Sequence, residues 1–166
     1  MPDHVRLLLS ILLTTGMRLD EAALLNWEDM KVEQEILFFD LTGKFDTLKN
    51  IGSAREVPVH SSISDLVRFA DKSGPMFPEF HRDSDGKAQG AASKACMKQI
   101  RKVTNDPLKV THSLRGTFKD KLRDAGVSKE INDFLTGHGS GDVAGGYGSG
   151  PSLTTRRDAM EQLRFP

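Results

Sequence analysis

Apolar residues recur along most of the chain at the spacing of amphipathic helices, and one stretch alternates as a β-strand does. The longest apolar run, VRLLLSILLTTG at residues 5–16, predicts a buried first helix over residues 4–14. The segment DEAALLN predicts a short second helix. Later helices are predicted over AQGAASKACMKQIRKVT, HSLRGTFKDKLRDAG, SKEINDFLTG and SLTTRRDAMEQLRF. The glycines that end HSLRGTFKDKLRDAG and SKEINDFLTG are typical helix C-caps.

Two strands are predicted in the first half of the chain. They are EQEILFFDL and REVPVH, joined by the polar segment TGKFDTLKNIGSA. SISDLVRFA then predicts a helix with a serine cap, and KSGPMFPEFHRDSDG predicts a loop because glycine, proline and aspartate interrupt it. The pattern therefore indicates an α+β fold, mainly α-helical, with a small antiparallel sheet near the N-terminal third. A chain of 166 residues fits one domain with a real core.

Composition excludes several classes of protein. The sequence is 37% hydrophobic and 28% charged, as in an ordinary soluble domain. The first apolar run is shorter than the ~20 residues that span a bilayer, and it lacks the features of a signal peptide. Cys96 is the only cysteine, which excludes an internal disulfide and favours a reducing interior. Its simplest role is that of a small apolar helix residue. We expect a cytoplasmic protein without membrane association.

Charge is unevenly distributed, although the net charge is zero. Residues 94–123, the basic block, contain nine basic and two acidic residues, a net charge of +7, whereas residues 18–35 have a net charge of −4. The basic block could contact a polyanion or could simply be a solvated helix face. If it contacts DNA, the expected contact residues are Lys94, Lys98, Arg101, Lys102 and Lys119.

The segment THSLRGTFKDKLRDAG places His112, Arg115 and Lys119 on one predicted helix face. The opposite face is apolar and consists of Leu114, Phe118, Leu122 and Ala125. An imidazole beside a guanidinium suits a phosphate, since arginine offers two donors and histidine exchanges a proton near neutral pH. An ordinary surface helix would give the same pattern.

Two further segments have unusual chemistry. In TTGMRLDEAALLNWED, Arg18 follows a glycine turn and precedes Glu21 by three residues. It is either a plain surface pair or an arginine held from behind so that it points into a cleft. In GHGSGDVAGGYGSG, residues 137–150, half of the positions are glycine, and the chain's only tyrosine, Tyr147, lies among them. Such a segment offers little of the apolar frame that a packing tyrosine needs.

Taken in order, these segments resemble the catalytic domain of the tyrosine recombinases, the phage integrases and their relatives. TTGMRLDEAALLNWEDM is similar to the family's first box, T-G-x-R-x-x-E followed by L-x-W-x-D, and THSLRGTF to its H-x-x-R box. FLTGHGSGDVAGGYG is similar to the closing box, in which L-x-G-H precedes the nucleophilic tyrosine by nine residues. TLKNIGSAREVPVH resembles a strand-turn-strand with a lysine before R-x-V-P. The resemblance runs from about residue 4 to residue 160.

The resemblance implies a site-specific recombinase or integrase that cleaves and rejoins DNA through a 3′-phosphotyrosyl intermediate. Arg18 and Arg115 match the arginines that clamp the phosphate. His138 would donate a hydrogen bond to the same phosphate or pack behind it. His112 would act as the base or as a hydrogen-bonding partner near the attacking phenol.

The same resemblance makes Tyr147 the nucleophile. Lys49 matches the general acid that protonates the departing 5′ oxygen, and Lys44 is a less favoured substitute. The family's reaction uses no metal or nucleotide, and no cofactor is expected here. The histidines contain no H-x-x-x-H pair that would indicate zinc, and the sequence has no phosphate-binding P-loop and no G-x-S-x-G elbow.

Partners are also implied by the resemblance. They are double-stranded DNA and further copies of the chain, as a tetramer on DNA and a monomer when free. Members usually carry a separate N-terminal core-binding domain, and we expect residues 1–166 to be the catalytic domain without it, with weak, salt-sensitive DNA binding. The C-terminal PSLTTRRDAMEQLRFP would dock on a neighbouring subunit or fold back on its own domain. The alternatives are an inactive DNA-binding module of the same fold and a type IB topoisomerase-like relative.

Overall fold

The computed structural model describes residues 1–44, 53–67, 72–138 and 150–165. Within them the chain forms six α-helices and one three-stranded sheet. The helices are α1 (Asp3–Thr15), α2 (Leu19–Ala23), α3 (Gln89–Ile100), α4 (Ser113–Asp124), α5 (Lys129–Thr136) and α6 (Leu153–Glu161). Each of them lies within or within one residue of a helix predicted from the hydrophobic pattern.

Helix α1 lies at the centre of the core, as its apolar run predicts. Leu8 and Ile11 are fully buried, and the helix packs against α2, α3 and α4. It ends at Gly16, whose left-handed backbone (φ +64°) lets its N–H donate to Leu12 O at 3.1 Å. The chain therefore turns sharply just before Arg18.

The sheet consists of β1 (Met30–Glu33), β2 (Ile36–Asp40) and β3 (Glu56–Pro58), antiparallel in the order β1-β2-β3. The sequence predicted β2 and β3 but not β1. Strands β1 and β2 are joined by a two-residue turn in which Gln34 and Glu35 have φ of +49° and +63°. Such turns normally contain Asn-Gly or another glycine pair, so this hairpin lacks its usual sequence signal.

The helix predicted over residues 62–70 is wrong for the part that the structure describes. Ser61–Ile63 form one turn of 3₁₀-helix, followed by turns as far as Val67, and residues 68–71 lie outside the described ranges. The His60 ring begins this turn, since its Nδ1 accepts a hydrogen bond from Ser62 N at 3.0 Å. Serine hydroxyls compete for backbone hydrogen bonds, and this weakens an α-helix at such a segment.

The predicted two faces of α4 also need correction. Arg115 is buried, with 4% of its surface exposed, on the same side of the helix as Phe118 and Leu122. His112, at the N-cap of α4, is exposed. Arg115 points inward because its guanidinium contacts Gly16 O and His138 Nδ1 there, as described below.

Helix α6 folds back on its own chain. It packs against β3 and β2, and Arg156 on α6 is buried. The Arg156 guanidinium donates to the backbone oxygen of Glu56 on β3 and pairs with the Glu56 carboxylate at 3.0 Å. Of the two interpretations of the C-terminal segment, this structure shows the intrachain one.

Cys96 and the apolar first helix have the plain roles expected of them. Cys96 is fully buried in α3, and burial raises the pKa of its thiol to about 11. The thiol is therefore protonated and unreactive at neutral pH. No helix in the described part of the chain is long and apolar enough to cross a membrane.

Candidate active site

Three arginines converge where the C-terminal ends of α1 and α5 meet. Arg115 Nη1 donates to the oxygen of Gly16, which caps α1, at 2.6 Å. Arg18 Nη2 donates to the oxygen of Gly137, which caps α5, at 3.2 Å, and Arg55 Nε donates to Leu135 O at 2.8 Å. Because the C-terminal end of a helix carries partial negative charge, this junction favours cations. We refer to Arg18, Arg55 and Arg115 as the arginine cluster.

Glu21 holds Arg18 from behind, in the geometry that the sequence suggested. Arg18 Nη1 lies 2.9 Å from Glu21 Oε1 and 3.1 Å from Ser53 Oγ, and the Arg18 backbone N–H donates to Glu21 Oε2 at 2.9 Å. Glu21 is buried, whereas 24% of the Arg18 side chain is exposed. The carboxylate therefore fixes an arginine that is still partly exposed to solvent.

Arg55 is the member of the cluster for which the sequence predicted no role. Its Nη2 lies 3.0 Å from Glu21 Oε2, and its Nη1 donates to Ser53 O at 2.8 Å. Burial by itself raises the pKa of Glu21, but Arg55 and Arg18 together hold it below the usual value. The only sequence signal for Arg55 was its position in the R-x-V-P segment.

The charge of Arg115 is costly to bury. Desolvation, together with repulsion from Arg18 and Arg55, lowers the pKa of its guanidinium to about 10, with Glu21 acting in the opposite direction. Arg115 nevertheless remains protonated at neutral pH. Its Nη2 lies 3.0 Å from His138 Nδ1, so the arginine and the imidazole are in direct contact. An additional anion beside Arg115 would relieve the repulsion within the cluster.

His138 follows the glycine cap of α5, and its ring is surrounded by cations. Its Nδ1 lies 3.0 Å from Arg115 Nη2, 3.3 Å from Lys119 Nζ and 3.1 Å from Thr136 Oγ1. Desolvation and the nearby positive charges of Arg115 and Lys119 lower the pKa of His138, while Asp133 acts to raise it. At neutral pH the imidazole is therefore uncharged and able to donate one hydrogen bond.

Two glycines make room for these contacts. Gly16 and Gly137 have φ of +64° and +62°, in the region that favours glycine. A Cβ on Gly16 would lie 2.4 Å from the Phe118 ring, and one on Gly137 would lie 2.6 Å from Arg55 Nη1. Any larger residue at position 137 must therefore displace an arginine of the cluster.

Comparison with known proteins agrees with this arrangement of motifs. The model of the phage integrase family matches residues 2–148. The chain belongs to the phage integrase family. The resemblance inferred from the four boxes is thereby confirmed. No curated protein sequence gives a significant match.

Solved structures show the same fold as this integrase-family chain. The integrase from mycobacterium phage Brujita superimposes with a TM-score of 0.70 at 17% identity, covering 99% of this chain and 53% of that one. The site-specific recombinase XerH, bound to its difH substrate, has a TM-score of 0.59 at 22% identity, with coverages of 83% and 40%.

A third similar structure is the Tn1549 transposon integrase in complex with circular intermediate DNA. It superimposes with a TM-score of 0.53 at 19% identity, covering 93% of this chain and 58% of that one. This integrase-family chain thus spans about half the length of these structural neighbours. The α+β, mainly helical fold expected from the sequence is confirmed.

The structure brings together some of the residues that matched the integrase boxes. Arg18, Arg115 and His138 meet at the α1–α5 junction, while His112 is exposed at the start of α4. Lys49 and Tyr147 lie outside the described residues. Their roles, and that of His112, stay predictions.

Lys44, the alternative general acid, is engaged elsewhere. Its ammonium pairs with Asp29 and donates to Leu24 O at 3.0 Å. Leu24 caps the C-terminal end of α2, whereas Arg18 precedes the N-terminal end of the same helix. Because an α-helix rises 1.5 Å per residue, Leu24 and Arg18 lie about 9 Å apart along the helix axis. Lys44 lines a separate cavity of about 600 Å³ to which no member of the arginine cluster contributes. Its position therefore disfavours it as the substitute for Lys49.

The basic block of this integrase-family chain has mixed surroundings. Lys94, Lys98 and Lys102 are exposed. Arg101 instead orders the loop after α3, since its Nη1 donates to the backbone oxygens of Asp106 and Lys109 at 3.0 Å each. Among the described residues, no three His, Cys, Asp or Glu side chains form a group that could hold a metal ion.

Proposed function

We propose that this chain is the catalytic domain of a tyrosine recombinase that breaks and rejoins duplex DNA by transesterification. The observation that supports this most directly is the balance of charge at the arginine cluster. Among the described residues, three guanidiniums and the Lys119 ammonium contact two carboxylates, those of Glu21 and Asp133. The excess positive charge suits a phosphodiester, and Arg18, with 24% of its side chain exposed, is the member of the cluster that a phosphate can contact from solvent.

The proposed reaction consists of a transesterification by Tyr147 and its reversal by a 5′-hydroxyl. The phenolic oxygen of Tyr147 attacks the phosphorus, a new P–O bond forms, and the bond to the 5′ oxygen breaks. His112 accepts the phenolic proton, and Lys49 supplies a proton to the departing 5′ oxygen. The 3′-phosphotyrosyl link keeps the energy of the original ester, so a second 5′-hydroxyl can reverse the step on another strand.

Arg18, Arg115 and His138 would stabilise the transition state. Attack on phosphorus places additional negative charge on the non-bridging oxygens, and fixed donors aimed at them lower the barrier. Arg18 and Arg115 are held by Glu21 and by the carbonyl groups that end α1 and α5. A lysine cannot replace either of them well, because it lacks the planar pair of donors.

The partners are part of this proposal. We expect the chain to bind double-stranded DNA, to act in the cytoplasm on chromosomal DNA, and to assemble as a tetramer on DNA. Two of the similar solved structures, those of the XerH recombinase and the Tn1549 integrase, are complexes with a difH substrate and with circular intermediate DNA. The basic block offers exposed lysines for contacts with the DNA backbone.

A trapping experiment tests the reaction. The chain is incubated with a pool of nicked duplexes that have randomised sequence around the nick. Cleavage close to the nick releases a short fragment that carries the new 5′-hydroxyl, and its diffusion away prevents rejoining. Covalent protein–DNA complexes are then separated on a denaturing gel and their DNA is sequenced. We expect a complex with the natural chain, none with Tyr147→Phe, and a strongly reduced amount with Arg18→Lys.

The alternatives predict different outcomes of the same experiment. A Tyr147→Phe chain that still formed the complex would show that the nucleophile is assigned wrongly. DNA binding by the natural chain without any covalent complex would favour an inactive binding module. Complexes with no sequence preference, together with relaxation of a supercoiled plasmid, would favour a topoisomerase-like relative.

A further inference from the structure

Lys119, which the sequence predicted as a DNA contact, lies within the candidate active site. Its Nζ lies 3.1 Å from Asp133 Oδ1 on α5 and 3.3 Å from His138 Nδ1. Only 23% of the side chain is exposed. The ammonium therefore lies between a carboxylate and the imidazole that is proposed to contact the phosphate.

The neighbours of His138 determine which ring nitrogen carries the proton. Arg115 and Lys119 both approach Nδ1, and neither side chain can accept a hydrogen bond. Nδ1 must therefore be the acceptor, which leaves the proton on Nε2. The competing arrangement is an Nδ1–H that donates to Thr136 Oγ1, 3.1 Å away. That arrangement would direct an N–H toward two cationic donors.

Lys119 also separates His138 from a carboxylate. Asp133 accepts from Lys119 through Oδ1 and pairs with Lys129 through Oδ2. Without the Lys119 ammonium, Asp133 Oδ1 would lose the cation that lies between it and the imidazole, and its effect on the ring would increase. A carboxylate near a histidine favours a proton on the facing nitrogen and favours the charged form.

We propose that Lys119 is a positioning residue that, together with Arg115, holds His138 as the neutral imidazole with its proton on Nε2. In this state Nε2–H is the hydrogen-bond donor that the phosphate requires. This inference rests on the proposed function for its purpose, but the protonation state can be measured without DNA. In the described part of the chain, the charged groups that act on the ring are Arg115 and Lys119 from α4, Asp133 from α5 and Arg18 before α2.

The first test is nitrogen NMR of the free chain with ¹⁵N-labelled histidine. The His138 signals, assigned by comparison with His138→Gln, should show an acceptor Nδ1 and a protonated Nε2 at neutral pH. In Lys119→Met, we expect the Nδ1–H form to become detectable and the titration midpoint of His138 to rise by at least about half a pH unit.

Two matched variants separate positioning from a general loss of charge or packing. Lys119→Arg keeps a cationic donor and should restore the natural tautomer. Lys121→Met removes a lysine of the same helix whose Nζ donates to Arg164 O at 2.8 Å, outside the site, and should leave the His138 signals unchanged. The measurement on the natural chain stands even if Lys119→Met does not fold.

Two outcomes would overturn the inference. They are an Nδ1–H tautomer in the natural chain and a His138 titration that Lys119→Met leaves unchanged. The trapping experiment separates this inference from the proposed function. If only the proposed function fails, the natural chain gives no covalent complex but the NMR result is unchanged.

If the role of Lys119 and the proposed function are both correct, Lys119→Met should reduce trapping at neutral pH by about tenfold or more, and Lys119→Arg should restore it.

Discussion

Arg55 Nη2 and Glu21 Oε2 lie 3.0 Å apart, with only 2% and 1% of the two side chains exposed. This ion pair connects the β3 end of the sheet to the first turn of α2. Glu21 also pairs with Arg18, so one carboxylate serves two guanidiniums. The structural core and the proposed phosphate clamp therefore depend on the same residue.

Glu21→Gln should destabilise the fold strongly. The substitution leaves Arg55 buried without its counter-charge, and removal of one partner of a buried pair costs about 3–5 kcal/mol in the free energy of unfolding. Urea unfolding followed by circular dichroism measures this. Asp3→Asn is the matched control because it breaks the exposed Asp3–Arg6 pair, and its effect should be close to zero. Equal effects of the two substitutions would contradict the role given to the buried pair.

Stability should fall in acid because of Glu21. Arg55 and Arg18 hold its pKa in the folded chain below its usual value, so the unfolded chain binds more protons as the pH decreases. The stabilisation is present above the unfolded pKa and is lost as the pH falls through the folded pKa. Melting temperatures measured from pH 7 to pH 3 should drop for the natural chain and drop less for Glu21→Gln. The melting temperature of Glu21→Gln should still fall in acid to some extent, since the pKa values of Asp40 and Asp133 are also lowered.

Gly137→Ala should damage both stability and DNA cleavage. An alanine there has a left-handed backbone, which costs about 1–2 kcal/mol, and its Cβ collides with Arg55 Nη1, which adds about 1–3 kcal/mol. Gly126→Ala is a matched control because Gly126 has φ +75° but no atom within 4 Å of the added Cβ. In Gly126→Ala the free energy of unfolding should fall only by the cost of the left-handed backbone, and the covalent complex with DNA should form normally. Similar results for both variants would argue against the steric account.

Arg156→Met should loosen the C-terminal helix. Arg156 joins α6 to Glu56 on β3 and lies 5.0 Å from the centre of the Phe134 ring, so its removal should cost about 1.5–3 kcal/mol. Arg157→Met alters the next residue, whose contact with Asp158 is largely exposed, and should have little effect. Limited proteolysis and urea unfolding compare the two. If the C-terminus of Arg156→Met were as resistant as that of Arg157→Met, the contact with Glu56 would not secure the helix.

DNA binding should depend on salt through the exposed lysines of α3. Each lysine that contacts a phosphate contributes about 0.9 to the slope of log K against log salt concentration. Lys94→Gln with Lys98→Gln should therefore reduce the slope by nearly two. Lys31→Gln, on β1 beside Asp40, is a control outside the basic block and should leave the slope unchanged. Fluorescence anisotropy with a labelled duplex measures it, and strong binding that is insensitive to salt would exclude the basic block as a DNA contact.

The sequence predicted the elements with clear periodicity and the contacts that are local along the chain. The run before Gly16 has the length and spacing of a buried helix, and α1 occupies it. The pairing of Arg18 with Glu21 is an i, i+3 contact, so spacing alone suggested it. Neither conclusion required knowledge of distant contacts.

The features that the sequence could not predict depend on distant contacts. The burial of Arg115 depends on Gly16 and His138, which lie 99 and 23 residues away. Helical periodicity places a charged residue on the solvent side by default, so it misplaced this one. Arg55 was missed for the same reason, since its partners are Glu21 and Leu135. The β1 hairpin was missed because its turn uses Gln34 and Glu35 instead of glycine.

Glu21 has a consequence for how this chain can evolve. Because Arg18 and Arg55 share its carboxylate, the three positions form one inherited unit, although Arg55 lies 34 residues after Glu21 in the sequence. A lineage that replaced Glu21 and Arg55 together with apolar residues could keep the fold, since a buried pair can be exchanged for well-packed hydrophobic groups. It would still lose the support of Arg18. Among relatives that retain strand cleavage, we therefore expect substitutions at 21 to be rarer than the needs of folding alone would require.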